Sequence, residues 1–249
     1  PAGPAASYAD TMRAFGYRVN VLDAAGMRRP TAMGGTLLVL DTPDVLSGSL
    51  PDAATTGGLG IVFYPVTVVT PRTADGAIAE FADLARAARG IERLGVLRMD
   101  IDALGAVFAS GLGEDAPLAR VANLSALLRL FFEGWVGALA ARHNALSATG
   151  HGDDHIYVIY SGGDDLMVVG SWSELPALAG EIARDFGRYC GANPAMHLSG
   201  GIAVLDARFP LYQAAEAAGE ALEQAKAREE GGRVVKDALD FLGRTVSWS

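Results

Sequence analysis

Two short acidic segments carry the residues whose types and spacing could do chemistry. The first is Arg98-Met99-Asp100-Ile101-Asp102, where a predicted strand runs into the start of a helix. Alternate residues of a strand share a face, so we expect Asp100 on the same face as Arg98 and opposite to Ile101. An ion pair between Asp100 and Arg98 is the structural alternative to a functional role. For Asp102 the better interpretation is an N-cap of the following helix.

The second segment is Ser161-Gly162-Gly163-Asp164-Asp165, which we place at the tip of a hairpin. Glycine suits this turn because it adopts positive φ readily. A plain turn is one interpretation, since glycine and aspartate are common turn residues. However, apolar strands flank the acids on both sides, at Ile156–Tyr160 and Leu166–Val169, which is unusual for a solvated turn.

The two acidic segments converge if the strand of Asp100 pairs beside the hairpin. Carboxylates that lie so close repel one another unless cations neutralise them. A pair of hard cations about 3.5–4 Å apart is the usual solution where phosphoryl oxygens react. Asp100 and Asp164 are therefore candidate metal ligands. Asp165 should join Asp164 only if the turn rotates it, because adjacent strand residues point to opposite faces.

The elements that must position these acids follow from hydrophobic periodicity. From residue 94 onward the pattern predicts strand, long helix, hairpin, helix, strand, helix and short closing strands. This order indicates an α+β sheet covered by helices on at least one face. The predicted helices cover 121–139, 174–189 and 211–228, and the predicted strands cover 95–100, 155–161, 165–170 and 196–205.

Residues 1–89 contain no residues that stand out for chemistry. They carry β-like runs at Tyr17–Leu22, Thr36–Leu40 and Ile61–Val69, a flexible loop at Ser47–Gly60 and a predicted helix at Ala74–Arg89. We therefore divide the chain into a small α/β segment, 1–89, and a second domain, 90–249, that contains the Gly-Gly-Asp-Asp hairpin.

Composition narrows the class of protein further. Hydrophobic residues make up 50% and charged residues 20%, a balance typical of globular proteins. A net charge of −9 argues against broad electrostatic binding of nucleic acid, so RNA contacts should be local or supplied by partners. A single cysteine, Cys190, excludes an internal disulfide and fits a reducing compartment. We find neither a signal peptide nor an apolar run of membrane-spanning length, which predicts a cytoplasmic protein with no membrane contact.

The segments 94–105 and 160–166 resemble the second palm domain of the large subunit of type III CRISPR effector complexes, the Csm kind. Further matches are Phe131-Phe132-Glu133-Gly134, Leu198-Ser199-Gly200-Gly201-Ile202-Ala203, Ala225-Lys226 and Lys236-Asp237-Ala238-Leu239-Asp240-Phe241-Leu242-Gly243. The matches occur in one order across residues 90–243. Residues 1–89 resemble the end of the preceding domain only loosely.

The resemblance implies a ferredoxin-like palm, related to nucleotidyl cyclases and polymerases, that turns ATP into cyclic oligoadenylate when its complex holds a target RNA. It implies two Mg²⁺ or Mn²⁺ ions per site, bound by Asp100, the Ile101 carbonyl and Asp164, with Asp165 beside them. The backbone at Ala103, Leu104 and Gly105 would bind phosphates, as free N–H groups at a helix start do. Ser199 and Lys226 match positions that approach nucleotide; the alternatives are an ordinary small polar residue of a strand for Ser199 and a solvated lysine for Lys226. The four histidines show no metal-ligand spacing, and we assign them no role.

The resemblance also implies partners. They are the other subunits of the effector complex, a facing first palm domain, and guide and target RNA reached through the complex. The sequence shows no nuclease HD domain and no first palm, so we expect no nuclease activity from it. Two alternatives remain open at this point. One is a diguanylate-type cyclase that uses GTP, and the other is a non-catalytic palm that serves as a scaffold.

Overall fold

The computed structural model describes residues 36–40, 60–64, 69–113, 117–151 and 154–248. Strands β1 (Thr36–Leu40) and β2 (Gly60–Tyr64) form a two-stranded sheet of their own. The strand predicted at Thr36–Leu40 is therefore confirmed, and the strand predicted at Ile61–Val69 is confirmed over residues 61–64, since 65–68 lie outside the described residues. The run predicted at Tyr17–Leu22 lies outside the described residues, as does nearly all of the loop predicted at 47–60.

A six-stranded mixed sheet forms the centre of the second part of the chain, in the order β10-β9-β6-β3-β5-β4. Every neighbouring pair is antiparallel except β6 and β9. Its strands are β3 (Leu94–Ile101), β4 (Ile156–Gly162), β5 (Asp165–Ser171), β6 (Leu198–Leu205), β9 (Ala238–Phe241) and β10 (Arg244–Ser247). Strands β7 (Glu229–Glu230) and β8 (Arg233–Val234) make a separate short hairpin. The predicted α+β class is confirmed.

Six helices accompany the sheet in the described residues. They are α1 (Phe81–Arg86), α2 (Leu104–Ala106), α3 (Leu118–Arg129), α4 (Val136–His151), α5 (Leu175–Tyr189) and α6 (Leu211–Lys226). A π-helical turn over Leu130–Trp135 joins α3 to α4, and another over Val107–Gly111 extends α2.

The helix predicted at Ala74–Arg89 is shorter in the structure and covers Phe81–Arg86. The residues before it form a tight turn instead. Gly76 has φ +84°, and the Thr73 hydroxyl bonds both Asp75 and the carbonyl of Ala77. Local side-chain hydrogen bonds of this kind compete with a helix, so the apolar periodicity overestimated its length.

The alternation of β3 separates two cores on opposite faces of the sheet. Leu97, Met99 and Ile101 pack into the larger core with α3, α4 and α5, whereas Leu94 and Val96 pack into the smaller core with α1 and α6. Helices therefore cover both faces. Asp100 alternates with Leu94 and Val96 along β3 and therefore lies on the same face of the sheet as they do, the face that α6 covers.

The long helix over Leu118–Leu146 is apolar enough, with a mean hydropathy of 1.4, to cross a membrane by length and composition. Arg129 and Glu133 interrupt it, so the prediction that the sequence contains no apolar run of membrane-spanning length is not contradicted. One such helix is weak evidence, because the core helix of a globular domain has the same properties. Here Phe131, Phe132 and Leu139 are buried in the larger core, whereas Leu118 and Leu146 are exposed. The absence of membrane contact stays a prediction.

Gly201 of β6 lets α6 approach the sheet at backbone distance. A Cβ at this position would lie 2.1 Å from the Leu222 nitrogen and 2.6 Å from the Ala218 carbonyl oxygen. Both of these atoms belong to helix backbone, so no side-chain rotation could relieve the overlap. Gly201 therefore sets the height of α6 above the sheet, and with it the position of Lys226 at the end of that helix.

We expect Gly201→Ala to destabilise the fold by at least about 2 kcal/mol, because forcing an extra carbon into a packed core costs about 1–3 kcal/mol or more. For a domain of this size that is a fall of about 4–8 °C in Tm. Gly180→Ala is the matched control. Gly180 lies inside α5, where an added Cβ meets nothing within 4 Å, and helix propensity makes alanine stabilising there. Equal Tm values for the two variants in thermal unfolding would refute the close-approach argument.

Candidate active site

Strand pairing brings two of the predicted acids side by side. Asp100 of β3 lies directly opposite Asp165 of β5 on one side and Ser199 of β6 on the other. Residues opposite one another in an antiparallel pair share a face, with Cβ atoms about 4.5–5.5 Å apart. The carboxylates of Asp100 and Asp165 therefore emerge together on the α6 face.

Asp164 reaches the same place by another route. It lies in the turn between β4 and β5. The rule that adjacent strand residues point to opposite faces therefore does not apply to Asp164, and its carboxylate can lie on the same face as that of Asp165. Its carbonyl oxygen accepts a hydrogen bond of 3.1 Å from the Ile101 N–H, which docks the turn against the end of β3. Gly163 makes the turn with φ +68°, as the Gly-Gly pattern predicts. The two acidic segments thus meet at adjacent strand ends.

Burial and the crowding of like charges both raise the pKa of Asp164. Burial raises the pKa of its carboxyl above the ordinary value, and the neighbouring charges of Asp100 and Asp165 raise it further. Lys226 partly offsets this effect. Without a bound cation, the ionised carboxylate of Asp164 therefore destabilises the folded state.

The substitution Asp164→Asn should make the metal-free fold slightly more stable at neutral pH. The folded pKa is raised above 3.8, so the folded state binds the proton more tightly than the unfolded state, and stability falls as pH rises through this range. We expect a Tm increase of about 1–3 °C at pH 7 in the presence of EDTA. The increase should vanish below the ordinary pKa, where wild type is protonated in both states. A lower Tm for Asp164→Asn at pH 7 would contradict the repulsion.

Lys226, the last residue of α6, forms the ion pair of Asp100. Its ammonium group donates to Asp100 Oδ2. The alternative partner, Arg98, lies on the same face, with its guanidinium beside Gly219 of α6 and near the hydroxyl of Tyr160. That hydroxyl donates to Asp165 Oδ2 at 3.0 Å. Burial, and then this bond to Asp165, raises the pKa of Tyr160.

An open groove of about 680 Å³ runs along this face beside α6. Arg98, Asp100, Asp165 and Lys226 line its floor together with three glutamates of α6. These glutamates are Glu216, Glu220 and Glu223. The groove is thus rich in carboxylates but carries two cationic side chains, a mixture that suits a ligand combining phosphates with metal cations.

Asp102 is not the helix N-cap that the sequence predicts. The N-cap of α2 is Ala103, with no side-chain capping bond. Asp102 is instead fully buried, and its Oδ2 accepts hydrogen bonds from His197 Nδ1 at 2.7 Å and from the Ser199 hydroxyl at 2.8 Å. The N-cap interpretation failed because β6 supplies stronger partners than the local helix start.

Ser199, predicted to contact nucleotide, is fully buried next to Asp100, and its hydroxyl donates a hydrogen bond to Asp102. Its direct contact with nucleotide stays a prediction, and this placement gives the hydroxyl a different partner. The predicted phosphate-binding backbone, Ala103 to Gly105, lies immediately after Asp102. Ala103 has φ +54°, and both Ala103 and Gly105 are exposed. N–H groups at the start of a helix lack intrahelical acceptors.

The hairpin with the acids is held from the other face by the π-helical turn between α3 and α4. The Ser161 hydroxyl donates to the Phe132 carbonyl at 2.6 Å. A Cβ on Gly162 would lie 3.4 Å from a carboxylate oxygen of Glu133, which is ion-paired with Arg129. These contacts connect the segment Phe131–Gly134 to the acidic hairpin, although the two are distant in sequence.

The donor set fits magnesium bound together with a nucleotide. Among the described residues, no group of three His, Cys, Asp or Glu side chains is arranged to hold a metal ion unaided. Mg²⁺ is usually bound through one or two carboxylates, with substrate phosphates and water completing its shell. Asp100 and Asp165, with Asp164 at the turn, provide that partial set of hard oxygen ligands.

Three contributors to the site were missed by sequence reasoning. Tyr160 bonds Asp165, His197 bonds Asp102, and the turn before β9 approaches the site through the Asp237 N–H, 3.3 Å from Asp102 Oδ2. Tyr160 could have been found from its closeness to the hairpin acids. The contacts of Asp102 span 95 and 135 positions, and no local pattern encodes such pairs.

A mixed sheet flanked by helices, with carboxylates at the end of a central strand and at the tip of the adjoining hairpin, is the architecture of a palm domain. The family model described as "Cas10/Cmr2, second palm domain" matches residues 93–238. This is more than half of the chain, and the chain belongs to that family.

Curated relatives agree with this assignment. The chain is 35% identical over 183 residues to the CRISPR system single-strand-specific deoxyribonuclease Cas10/Csm1 (subtype III-A) of Methanocaldococcus jannaschii, covering 69% of this chain and 23% of the relative. It is 32% identical over 201 residues to the protein of the same name from Thermococcus onnurineus, covering 78% and 24%. The chain thus spans about a quarter of the length of these relatives.

Solved structures show the same likeness. A Csm1-Csm4 cassette in complex with cA3 matches with a TM-score of 0.65 at 28% identity, over 86% of this chain and 30% of that one. A cassette in complex with one ATP matches with a TM-score of 0.65 over 87% and 30%. Csm1 of T. onnurineus matches with a TM-score of 0.64 at 27% identity, over 88% and 31%.

Proposed function

We propose that this chain provides a nucleotidyltransferase site that converts ATP to cyclic oligoadenylate within a target-RNA-activated type III CRISPR effector complex. The observation that carries the proposal is the register that sets Asp100 opposite Asp165, with Asp164 docked on Ile101 at the same strand end. Relatives of this fold bind ATP and cA3 in solved structures, which supports adenine nucleotides as ligands.

In the proposed reaction a ribose 3′-hydroxyl oxygen attacks the α-phosphorus of ATP. A phosphodiester bond forms, the bond between the α-phosphorus and its bridging oxygen breaks, and pyrophosphate leaves. The hydroxyl proton passes to solvent. Two bound Mg²⁺ or Mn²⁺ ions would lower the pKa of the hydroxyl and neutralise charge on the triphosphate.

The residues of this chain act as ligands and clamps. Asp100, Asp164, Asp165 and the Ile101 carbonyl would hold the cations. Lys226 would exchange its ion pair with Asp100 for a phosphate oxygen once cations arrive, because its ammonium is a compact charge on a flexible stem. The N–H groups of Ala103, Leu104 and Gly105 would receive the remaining phosphate charge.

The partners of the domain are part of the same proposal. The structural neighbours are Csm1-Csm4 assemblies, which supports other effector subunits as partners. A first palm domain would face this one, and guide and target RNA would act through the complex. The acidic net charge of −9 favours RNA contacts made by those partners. A cytoplasmic location stays a prediction.

The experiment that separates this function from its alternatives compares nucleotides in the assembled complex with target RNA. We expect metal-dependent release of pyrophosphate with ATP and little with GTP. Faster release with GTP would favour the diguanylate-type alternative. Nucleotide binding with no pyrophosphate release from either would favour the scaffold.

A further inference from the structure

We propose that Asp102 is a positioning residue for nucleotide binding: it fixes the exposed backbone at Ala103–Gly105 to β6 and to the turn before β9. This inference rests on the proposed function and extends it to a buried residue that touches neither metal nor nucleotide. It replaces the local capping role that the sequence predicts for Asp102.

Asp102 joins the end of β3 to two segments that are far from it in the sequence. Its Oδ2 accepts from His197 Nδ1, from the Ser199 hydroxyl and, at 3.3 Å, from the Asp237 N–H. Its own N–H donates to the His197 carbonyl at 2.9 Å. The backbone is therefore anchored on the residue before β6 and the side chain on that residue and on β6 itself, so the end of β3 has little freedom.

The anchor sits one residue before the exposed backbone. Ala103 follows directly in the left-handed region, at φ +54°, which is uncommon for a residue with a Cβ and costs conformational energy. Such a conformation persists only where neighbouring contacts hold it. The bonds of Asp102 supply that restraint, and they thereby set where the N–H groups of Ala103, Leu104 and Gly105 point.

Asp102 is also a poor choice for stability alone. It is fully buried, and its Oδ1 has no hydrogen-bond partner among the described residues. A buried carboxylate oxygen left unpaired destabilises a fold. A residue kept under that cost fits a role in placing the loop better than a role in holding the sheet together.

The test compares Asp102→Asn with Asp240→Asn in the assembled complex, measuring ATP dissociation constant, KM, kcat and Tm. Asp240 is the matched control, since it is a buried aspartate of β9 that accepts a bond from Thr245 and lies outside the site. We expect Asp102→Asn to raise the dissociation constant and KM for ATP about tenfold, with a smaller change in kcat. Asp240→Asn should lower Tm without moving KM.

A second pair of variants covers the case in which Asp102→Asn does not fold. The ring of His197 is partly exposed, so substitution there is tolerable. His197→Asn retains an N–H donor near the position of Nδ1 and should keep KM within about twofold of wild type, whereas His197→Ala should raise it several-fold. Equal KM values for the two His197 variants, or an unchanged KM in folded Asp102→Asn, would overturn the positioning role. In either case wild-type activity would leave the proposed function intact. Wild type that fails to bind ATP would overturn both.

Discussion

Replacing Asp100 by asparagine should lower metal-dependent ATP turnover by about 10²–10³-fold while leaving the fold intact. The change removes a carboxylate that a cation must balance, and such a cation stabilises transition-state charge by several kcal/mol, each 1.36 kcal/mol being a factor of ten in rate. Asparagine has nearly the same shape, so β3 should still pair with β5 and β6. The measurement is product formation by the assembled complex with magnesium and with manganese, alongside Tm.

Asp206→Asn is the control for this substitution. Asp206 lies just after β6 in an exposed ion pair with Arg93, and exposed pairs contribute little, so activity should stay at the wild-type level. Full activity of Asp100→Asn with either metal would contradict the assignment of Asp100 as a ligand. Loss of activity together with a collapsed Tm would mean that Asp100 serves the fold.

The isolated chain should join nucleotides several orders of magnitude more slowly than the assembled complex, even if it binds ATP and metal. Joining requires a second nucleotide whose 3′-hydroxyl is aimed at the α-phosphate of the first, and positioning of this kind contributes about 7–11 kcal/mol. The described residues present one set of acids, at Asp100, Asp164 and Asp165, and one exposed loop at Ala103–Gly105. A second nucleotide would have to be held by the facing first palm.

The comparison for this prediction is oligoadenylate yield from the isolated chain and from the complex at equal concentration of sites. A titration of the isolated chain must accompany it, because two copies could face one another at high concentration. Equal yields with no dependence on concentration would show that one palm suffices, and would refute the need for a facing site.

The part of the fold that sequence reasoning predicted is the part governed by short-range patterns. The alternation of apolar residues in β3 fixed the face of Asp100, and the Gly162-Gly163 pair indicated the hairpin that carries Asp164. Each depends on residues within a few positions of one another. The structure agrees with both.

The remainder depends on contacts that no local pattern encodes. Lys226 reaches Asp100 across 126 positions, and Asp102 meets His197 across 95. The contact of Lys226 depends on how closely α6 approaches the sheet, which Gly201 sets. The contact of His197 depends on the pairing of β6 with β3. The N-cap prediction for Asp102 failed for the same reason, because burial and partners from β6 outweighed a local propensity.

If Asp100, Asp164 and Asp165 serve the joining of ATP molecules, the identity of the nucleotide product will show it. The measurement is mass spectrometry of the nucleotides formed when the complex, with and without target RNA, is incubated with ATP, GTP and magnesium. We expect cyclic oligoadenylates that appear only with target RNA and disappear in Asp100→Asn. A guanine-containing cyclic product, or unchanged ATP after target RNA is added to a complex shown to be intact, would contradict this expectation.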